Sequence, residues 1–278
     1  MDVPPDTEVT VVIVDNDADG LAVAPESIGT WATTVVVEPR SGIPFSRNRS
    51  VAEAGDVDAI VFFDDDEQPR RDCLVRLMSV WSETDADVVQ GCSVPRFEQT
   101  PPDWVVRAGY FARSFERDGE PIPGYRARTS NVLVRRAVFD IADPPFDERL
   151  VRSGGSDSFL FRAADERGFS FVGAASAVVD EDVPASRVTA KWLVQRQYRT
   201  GWGRSFHLRS QKPSAVRKLK RALAGMKVML LAPRSMWRAR PGAVAMITAG
   251  RRNVAYGRGL IVGLVGRAPT EYASVHGE

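Results

Sequence analysis

Four near-continuous apolar runs constrain this chain more than anything else in it. EVTVVIVD (8–15), TTVVVEP (33–39) and DAIVFFD (58–64) are rich in Val and Ile and end on or beside an acid. Runs with no polar face suit strands buried on both sides. DVVQGCSVPRF (87–97) reads as a fourth. Between them, SRNRSVAEAG (46–55) has a Ser start and a Gly stop and predicts a short helix. PRRDCLVRLMSVWSETD (69–85) predicts an amphipathic helix with Leu74, Leu77, Met78 and Trp81 on one side. This alternation predicts an α/β fold: a Rossmann-type, mostly parallel sheet flanked by helices. Ligands of such sheets bind beyond the carboxyl ends of the strands. Asp15 and Asp64 stand at two such ends and are expected to face one crevice.

Charge divides the chain. Residues 1–185 hold 18 Lys plus Arg against 34 acids, whereas residues 186–267 hold 19 Lys plus Arg and no acid. The expected domains are therefore 1–185, binding and catalytic, and 186–278, basic and helical. In the second, AVRKLKRALAGMKVMLL (215–231) repeats Leu219, Leu223, Met226 and Leu230 at helical spacing, among basic residues. GAVAMITAG and GLIVGLVG are short apolar stretches, and no stretch approaches the roughly 18 apolar residues of a membrane span. A basic amphipathic helix without a span predicts peripheral binding to an anionic membrane surface. Nucleic acid is not expected, because the segment shows no recognised motif and its apolar stretches suit lipid better. The two cysteines, Cys73 and Cys92, lack CxxC spacing, which argues against zinc or a disulfide framework. With no signal-peptide pattern at its start, the chain is expected in the cytoplasm.

The middle is less regular. Residues 101–131 carry many Pro, Gly and aromatic residues and read as a substrate-facing loop region. A helix is expected to start near Asp157, after the Gly-rich turn RSGGSD, and FSFVGAASAVVDEDVP (169–184) reads as a strand region ending in acids.

The stretch VFFDDDEQP (61–69) raises the chemical question. Adjacent aspartates repel, and such a cluster either lies in water as an acidic turn or holds a cation. Hard carboxylate oxygens suit Mg²⁺ or Mn²⁺. An aspartate-nucleophile phosphatase pattern would need Thr or Val where Gln68 stands. His207 and His276 are not well placed for catalysis.

In chain order, VVIVDNDADG, SGIPFSRNRSVAEA, IVFFDDDEQP, TSNVLVRR, FDERLVRSGGSDSFLFRA and DEDVPASRVTAKWLVQRQYRTGW together resemble the family 2 glycosyltransferases of GT-A fold, particularly bacterial members that build surface polysaccharides such as succinoglycan. The resemblance implies a nucleoside-diphosphate-sugar donor, of UDP or GDP type, and a Mn²⁺ or Mg²⁺ cofactor. By matching motifs it implies that Asp15, Asp19, Arg47, Asn48, Asp64 and Asp65 line the donor site, and that Asp66, Asp64 and Glu181 serve the metal. Asp157 would be the general base, although it also suits a helix N-cap. Gln195, Arg196, Arg199 and Trp202 would hold the diphosphate or acceptor. Family members usually carry another strand and helix ahead of the stretch matching EVTVVIVD, so the usual first strand is expected to be missing.

The expected activity is inverting sugar transfer onto a hydroxyl of a glycan or lipid-linked acceptor at the inner membrane face. The alternative is a degenerate, non-catalytic relative that binds a membrane or partner.

Overall fold

The computed structural model describes residues 1–17, 19, 27–28, 31–239 and 242–266. Its strands and helices follow in the order β1 (Thr10–Asp15), β2 (Ser27–Ile28), β3 (Trp31–Val37), α1 (Ile43–Ala54), β4 (Ala59–Phe62), β5 (Glu67–Pro69), α2 (Cys73–Thr84), β6 (Val88–Phe97), α3 (Asp103–Arg107), β7 (Glu120–Pro121), β8 (Val132–Arg135), α4 (Ser156–Asp165), β9 (Phe171–Val183), α5 (Ala190–Ser210), α6 (Ala215–Leu230), α7 (Ala232–Arg238) and α8 (Ala243–Val262). The chain forms two compact units. The first comprises Met1–Val94, Ala112–Val151 and Ser156–Glu181; the second comprises Pro95–Phe111, Arg152–Gly155 and the chain from Asp182 onward.

The first unit is α/β. One sheet has the order β1-β3-β2; a second has β4-β8-β6-β9-β5, with β7 beside β9. The pair β1–β3 is parallel, in register from Thr10 opposite Ala32 to Asp15 opposite Val37. Strand β4 lies antiparallel to β8, β6 to β8, β5 to β9 and β7 to β9. The sheet is therefore mixed rather than mostly parallel. Helix–strand alternation sets the connections, but strand direction is decided by distant pairing, here by β8 and β9 returning from the irregular middle. Pro69, expected in a helix, closes β5 instead, and α2 begins at Cys73.

Two apolar layers hold this unit. Leu77 and Val80 of α2 pack with Val89, Leu133, Ala177 and Val179 of the sheet. Phe62, Phe139 and Phe146 form a ring trio with centroids 6.0–6.2 Å apart, within the range where aromatic pairs attract beyond their area. Phe62 ends β4, so the trio anchors the strand two residues before Asp64.

The second unit is helical. Helix α8 is one continuous helix, where the sequence reading saw two apolar stretches split by RRNVAYGR. It packs against α5, α6 and α7. Small residues set the approach. A Cβ on Gly201 of α5 would lie 2.3 Å from the Tyr256 carbonyl oxygen, and one on Gly259 of α8 would lie 2.2 Å from that of Tyr198. Gly225 is the buried contact of α6, so α6 turns its large residues outward: Leu219, Leu223 and Leu230 are 59%, 50% and 80% exposed. Among the described residues no helix is long and apolar enough to cross a membrane.

Candidate active site

The acidic turn follows β4 directly and is folded back by Glu67. The backbone N–H of Asp64 donates to Glu67 Oε2 (3.0 Å), and the N–H of Glu67 returns to the Asp64 carbonyl (3.1 Å). The N–H of Asn131 donates to the same Oε2 (3.1 Å). Asn131, at a left-handed φ of 44°, is itself pinned: its amide donates to the carbonyls of Cys92 and Ala177. Arg113 approaches Glu67 Oε1 at 3.8 Å and donates to Ser130 Oγ and the Gly91 carbonyl. Glu67 is only 1% exposed at its side chain. Burial pushes its carboxyl up to about 7, against the Asp64 N–H and Arg113, which pull it down. Burial likewise lowers the Arg113 pKa. Glu67, Arg113 and Asn131 thus form a polar floor that fixes the turn, and the sequence reading assigned none of them.

Above that floor the carboxylates crowd. Burial raises Asp64 to about 6, although 40% of its side chain still meets water. Arg47 opposes the rise, with Nη2 at 3.7 Å from Oδ1, while Asp66, Asp157 and Asp65 each reinforce it. Asp157 therefore belongs to the same electrostatic cluster, from a position nearly a hundred residues later in the chain. It sits in the first turn of α4, with Oδ1 accepting the Ser158 N–H at 2.6 Å. Gly154 and Gly155, both at positive φ, make the turn before α4.

The other expected donor-site residues occupy varied roles. Arg47 also lies over the Phe146 ring, at 5.9 Å. The Asn48 amide is committed to the protein: it donates to the Phe146 carbonyl and accepts the Phe146 N–H, both at 2.9 Å. It clamps the segment that carries Phe146, one ring of the aromatic trio. Asp15 Oδ1 accepts the Asp17 N–H, and Asp17 in turn accepts that of the exposed Asp19. Asn16, unremarked in the sequence, bridges the carbonyls of Glu38 and Arg40 and the N–H of Gly42, and so joins the end of β1 to the start of α1. Glu181 stands opposite Glu67 across β5–β9 and accepts the hydroxyl of Ser93.

The expected acceptor residues lie on α5, in the helical unit. Gln195 and Arg196 are exposed, and Arg196 lies over Trp192 at 5.3 Å. Trp202 does not serve as a ligand contact. It is 1% exposed, stacks on Phe206 at 4.9 Å and is walled in where the flanking Gly201 admits α8. His207 is buried and contacts Gln211 at 3.2 Å; His276 lies outside the described residues.

Residues 5–140 match the family described as glycosyl transferase family 2. The chain carries a family 2 glycosyltransferase domain. The matched segment holds Asp15, Arg47, the whole acidic turn and its polar floor. The succinoglycan biosynthesis protein ExoM of Rhizobium meliloti (strain 1021) is 32% identical over 209 residues, which is 72% of this chain. The chain spans 65% of that relative's length. Among solved structures, S. aureus TarS 1–349 in complex with UDP aligns with a TM-score of 0.48 at 13% identity, over 93% of this chain and 82% of that one. Its complex with UDP-GlcNAc gives a TM-score of 0.48 over 70% and 57%.

Proposed function

We propose that this family 2 glycosyltransferase domain transfers a sugar, with inversion, from a nucleoside diphosphate to a hydroxyl of a glycan or lipid-linked acceptor. The observation that carries the reading is Asp64 itself, faced by Arg47 at 3.7 Å and acted on by the charges of Asp66, Asp157 and Asp65. The acids acting on Asp64 outnumber the one guanidinium beside it, an excess of negative charge that a cation would relieve.

The donor set fits a hard divalent ion. Mg²⁺ and Mn²⁺ are commonly held by one or two carboxylates together with substrate phosphates. No group of three or more metal-ligating side chains is assembled among the described residues. Asp66 and Asp64 would hold the ion, while Glu181 is engaged by Ser93. Bound there, it would neutralise charge on the departing diphosphate.

This chain's own residues do the rest. Asp157 takes the proton of the acceptor hydroxyl as that oxygen bonds to the anomeric carbon. The bond from that carbon to the diphosphate oxygen breaks on the opposite face, and its electron pair leaves with the nucleoside diphosphate. Arg47, already beside Asp64, stabilises the developing phosphate charge. Glu67 and Asn131 hold the turn in place by main-chain bonds.

The residues of the acceptor side are Gln195, Arg196 and Arg199, with the basic helical unit seated peripherally on an anionic membrane at its inner face. The outward stripe of α6, Leu219, Leu223, Met226 and Leu230 with basic flanks, supports this placement. ExoM's part in polysaccharide biosynthesis supports a growing glycan as acceptor.

The test is release of nucleoside diphosphate from a panel of UDP- and GDP-sugars, with Mn²⁺ and a bacterial membrane extract as acceptor. Release that disappears in Asp157→Asn while the donor still binds is the expected result. Undiminished release in that variant would overturn the base assignment.

A further inference from the structure

Strand β6 carries one large polar side chain into the middle of the α/β unit. Gln90 is fully buried, where an amide is costly unless its groups find partners. Both of its ends do so, on one short segment, residues 128–131. Its Nε2 donates to the carbonyls of Ser130 (2.8 Å) and Asn131 (3.0 Å), and its Oε1 accepts the N–H of Arg128 (2.6 Å). The reverse orientation of the amide would set its oxygen against two carbonyls, so the partners fix which end donates.

Backbone geometry explains why a side chain is used there. The β6–β8 ladder ends where Gln90 pairs with Val132, and Asn131, at its left-handed φ, turns the preceding residues out of strand geometry. The Gln90 side chain bonds the main chain in place of a neighbouring strand. Gly91 keeps the space beside it: a Cβ there would lie 2.3 Å from the Asn131 side-chain nitrogen.

The two ends of the held segment reach the two halves of the proposed site. At one end, the N–H groups of Asn131 and Asp64 donate to the same oxygen of Glu67, at 3.1 and 3.0 Å. At the other end, Arg128 Nη1 donates to the Ser158 hydroxyl oxygen at 3.3 Å, and the Ser158 N–H is the one that Asp157 accepts. One buried amide therefore joins the acidic turn to the start of α4 through bonded neighbours.

We infer that Gln90 is a positioning residue for the transfer reaction: through residues 128–131 it sets the spacing between the acidic turn and Asp157. The inference rests on the roles proposed above for those two groups. Such spacing governs the chemical step more than binding, since a displacement of about 1 Å costs on the order of 10²-fold in rate.

The amide signals of Asp64 and Ser158 report the two ends in the full chain, metal-free and labelled with ¹⁵N. Gln90→Met, similar in volume but without an amide, should move both signals while that of Leu223 in the helical unit stays. Arg128→Met should move Ser158 alone. Where Gln90→Met does not fold, Gln90→Glu is read instead: it keeps the shape and the bond from the Arg128 N–H, gives up a donor to the carbonyls, and should move the Asp64 signal. In turnover of the UDP- or GDP-sugar that the panel above identifies, Gln90→Met should lower kcat by about 10- to 100-fold, with KM for the donor nearly unchanged. In an Asp157→Asn background it should cause little further loss, because both changes act on one group. Unmoved Asp64 and Ser158 signals, an unchanged kcat, or a loss that multiplies in full with that of Asp157→Asn would overturn the inference; the last would mark a general loosening of the fold. Paired shifts in a chain whose turnover ignores Asp157→Asn would uphold the bridge that Gln90 makes and overturn the base assignment instead.

Discussion

The two units solve opposite packing problems. In the α/β unit, polar groups go inward: Glu67 and Asn131 are buried and Arg113 is largely covered, and together they hold a turn of aspartates. In the helical unit, large apolar groups go outward: glycines make the helix contacts and Leu219, Leu223 and Leu230 remain in solvent. Amphipathic helices normally bury their apolar stripe, and buried ionisable groups normally cost stability. On the proposed function, a cation with diphosphate would offset the departure in one unit and an anionic membrane surface in the other.

The largest effect that would sharpen this contrast belongs to Asp157. Asp157→Asn keeps the shape of the α4 start and removes the proton acceptor, so transfer should fall by roughly 10²–10⁴-fold while donor affinity stays within a few-fold. Initial-rate and binding measurements on one preparation separate the two.

Next is Trp202, which belongs to the packing of the helical unit. Trp202→Ala should destabilise that unit by about 3–5 kcal/mol. The loss is measurable by denaturant unfolding followed through helical circular dichroism. A stable variant that had lost only acceptor binding would return Trp202 to the site.

Glu67 sets a smaller, pH-dependent effect. Its carboxyl is raised from 4.5 to about 7 in the fold, so the folded chain holds a proton that the unfolded chain has released. Metal-free stability should therefore fall as the pH rises from about 4.5 to 7, by on the order of 3 kcal/mol, and stay level above. Glu67→Gln should flatten this slope. A stability that rises over the same interval would contradict a buried, pKa-raised Glu67.

The smallest effect concerns the outward stripe. Leu223→Glu with Leu230→Glu should weaken binding to anionic vesicles about tenfold, roughly 1.4 kcal/mol, without moving the melting temperature. Both side chains are at least half exposed, so a large loss of stability would mean that the stripe packs against protein instead.

What was legible in the sequence follows from how local each signal is. The strands β1 and β4 and the acids that end them were visible because an unbroken β-branched run admits few other conformations. The α/β class followed from alternation. Strand direction did not, because β8 and β9 pair antiparallel with strands far away in the chain. In the sequence Arg251, Arg252 and Asn253 split the apolar pattern of α8 into two fragments, yet all three lie on one unbroken helix, Arg251 exposed and Arg252 and Asn253 half-buried. Trp202 was read from a motif, but its neighbour Gly201 carried the better signal: a glycine inside a helix marks a close approach, and close approach buries the adjacent indole. The polar floor was illegible in principle. Glu67 and Asn131 meet across 64 residues, and nothing local to either predicts the other.

On the proposed function, the crowded aspartates hold a cation against a diphosphate. Calorimetric titration of the chain with UDP and with GDP, with and without Mn²⁺, tests it directly. The expected result is binding of one of them that requires the ion and is lost in Asp66→Asn. Binding that is indifferent to Mn²⁺ and to Asp66→Asn, or no binding of either nucleotide to the folded chain, would contradict it.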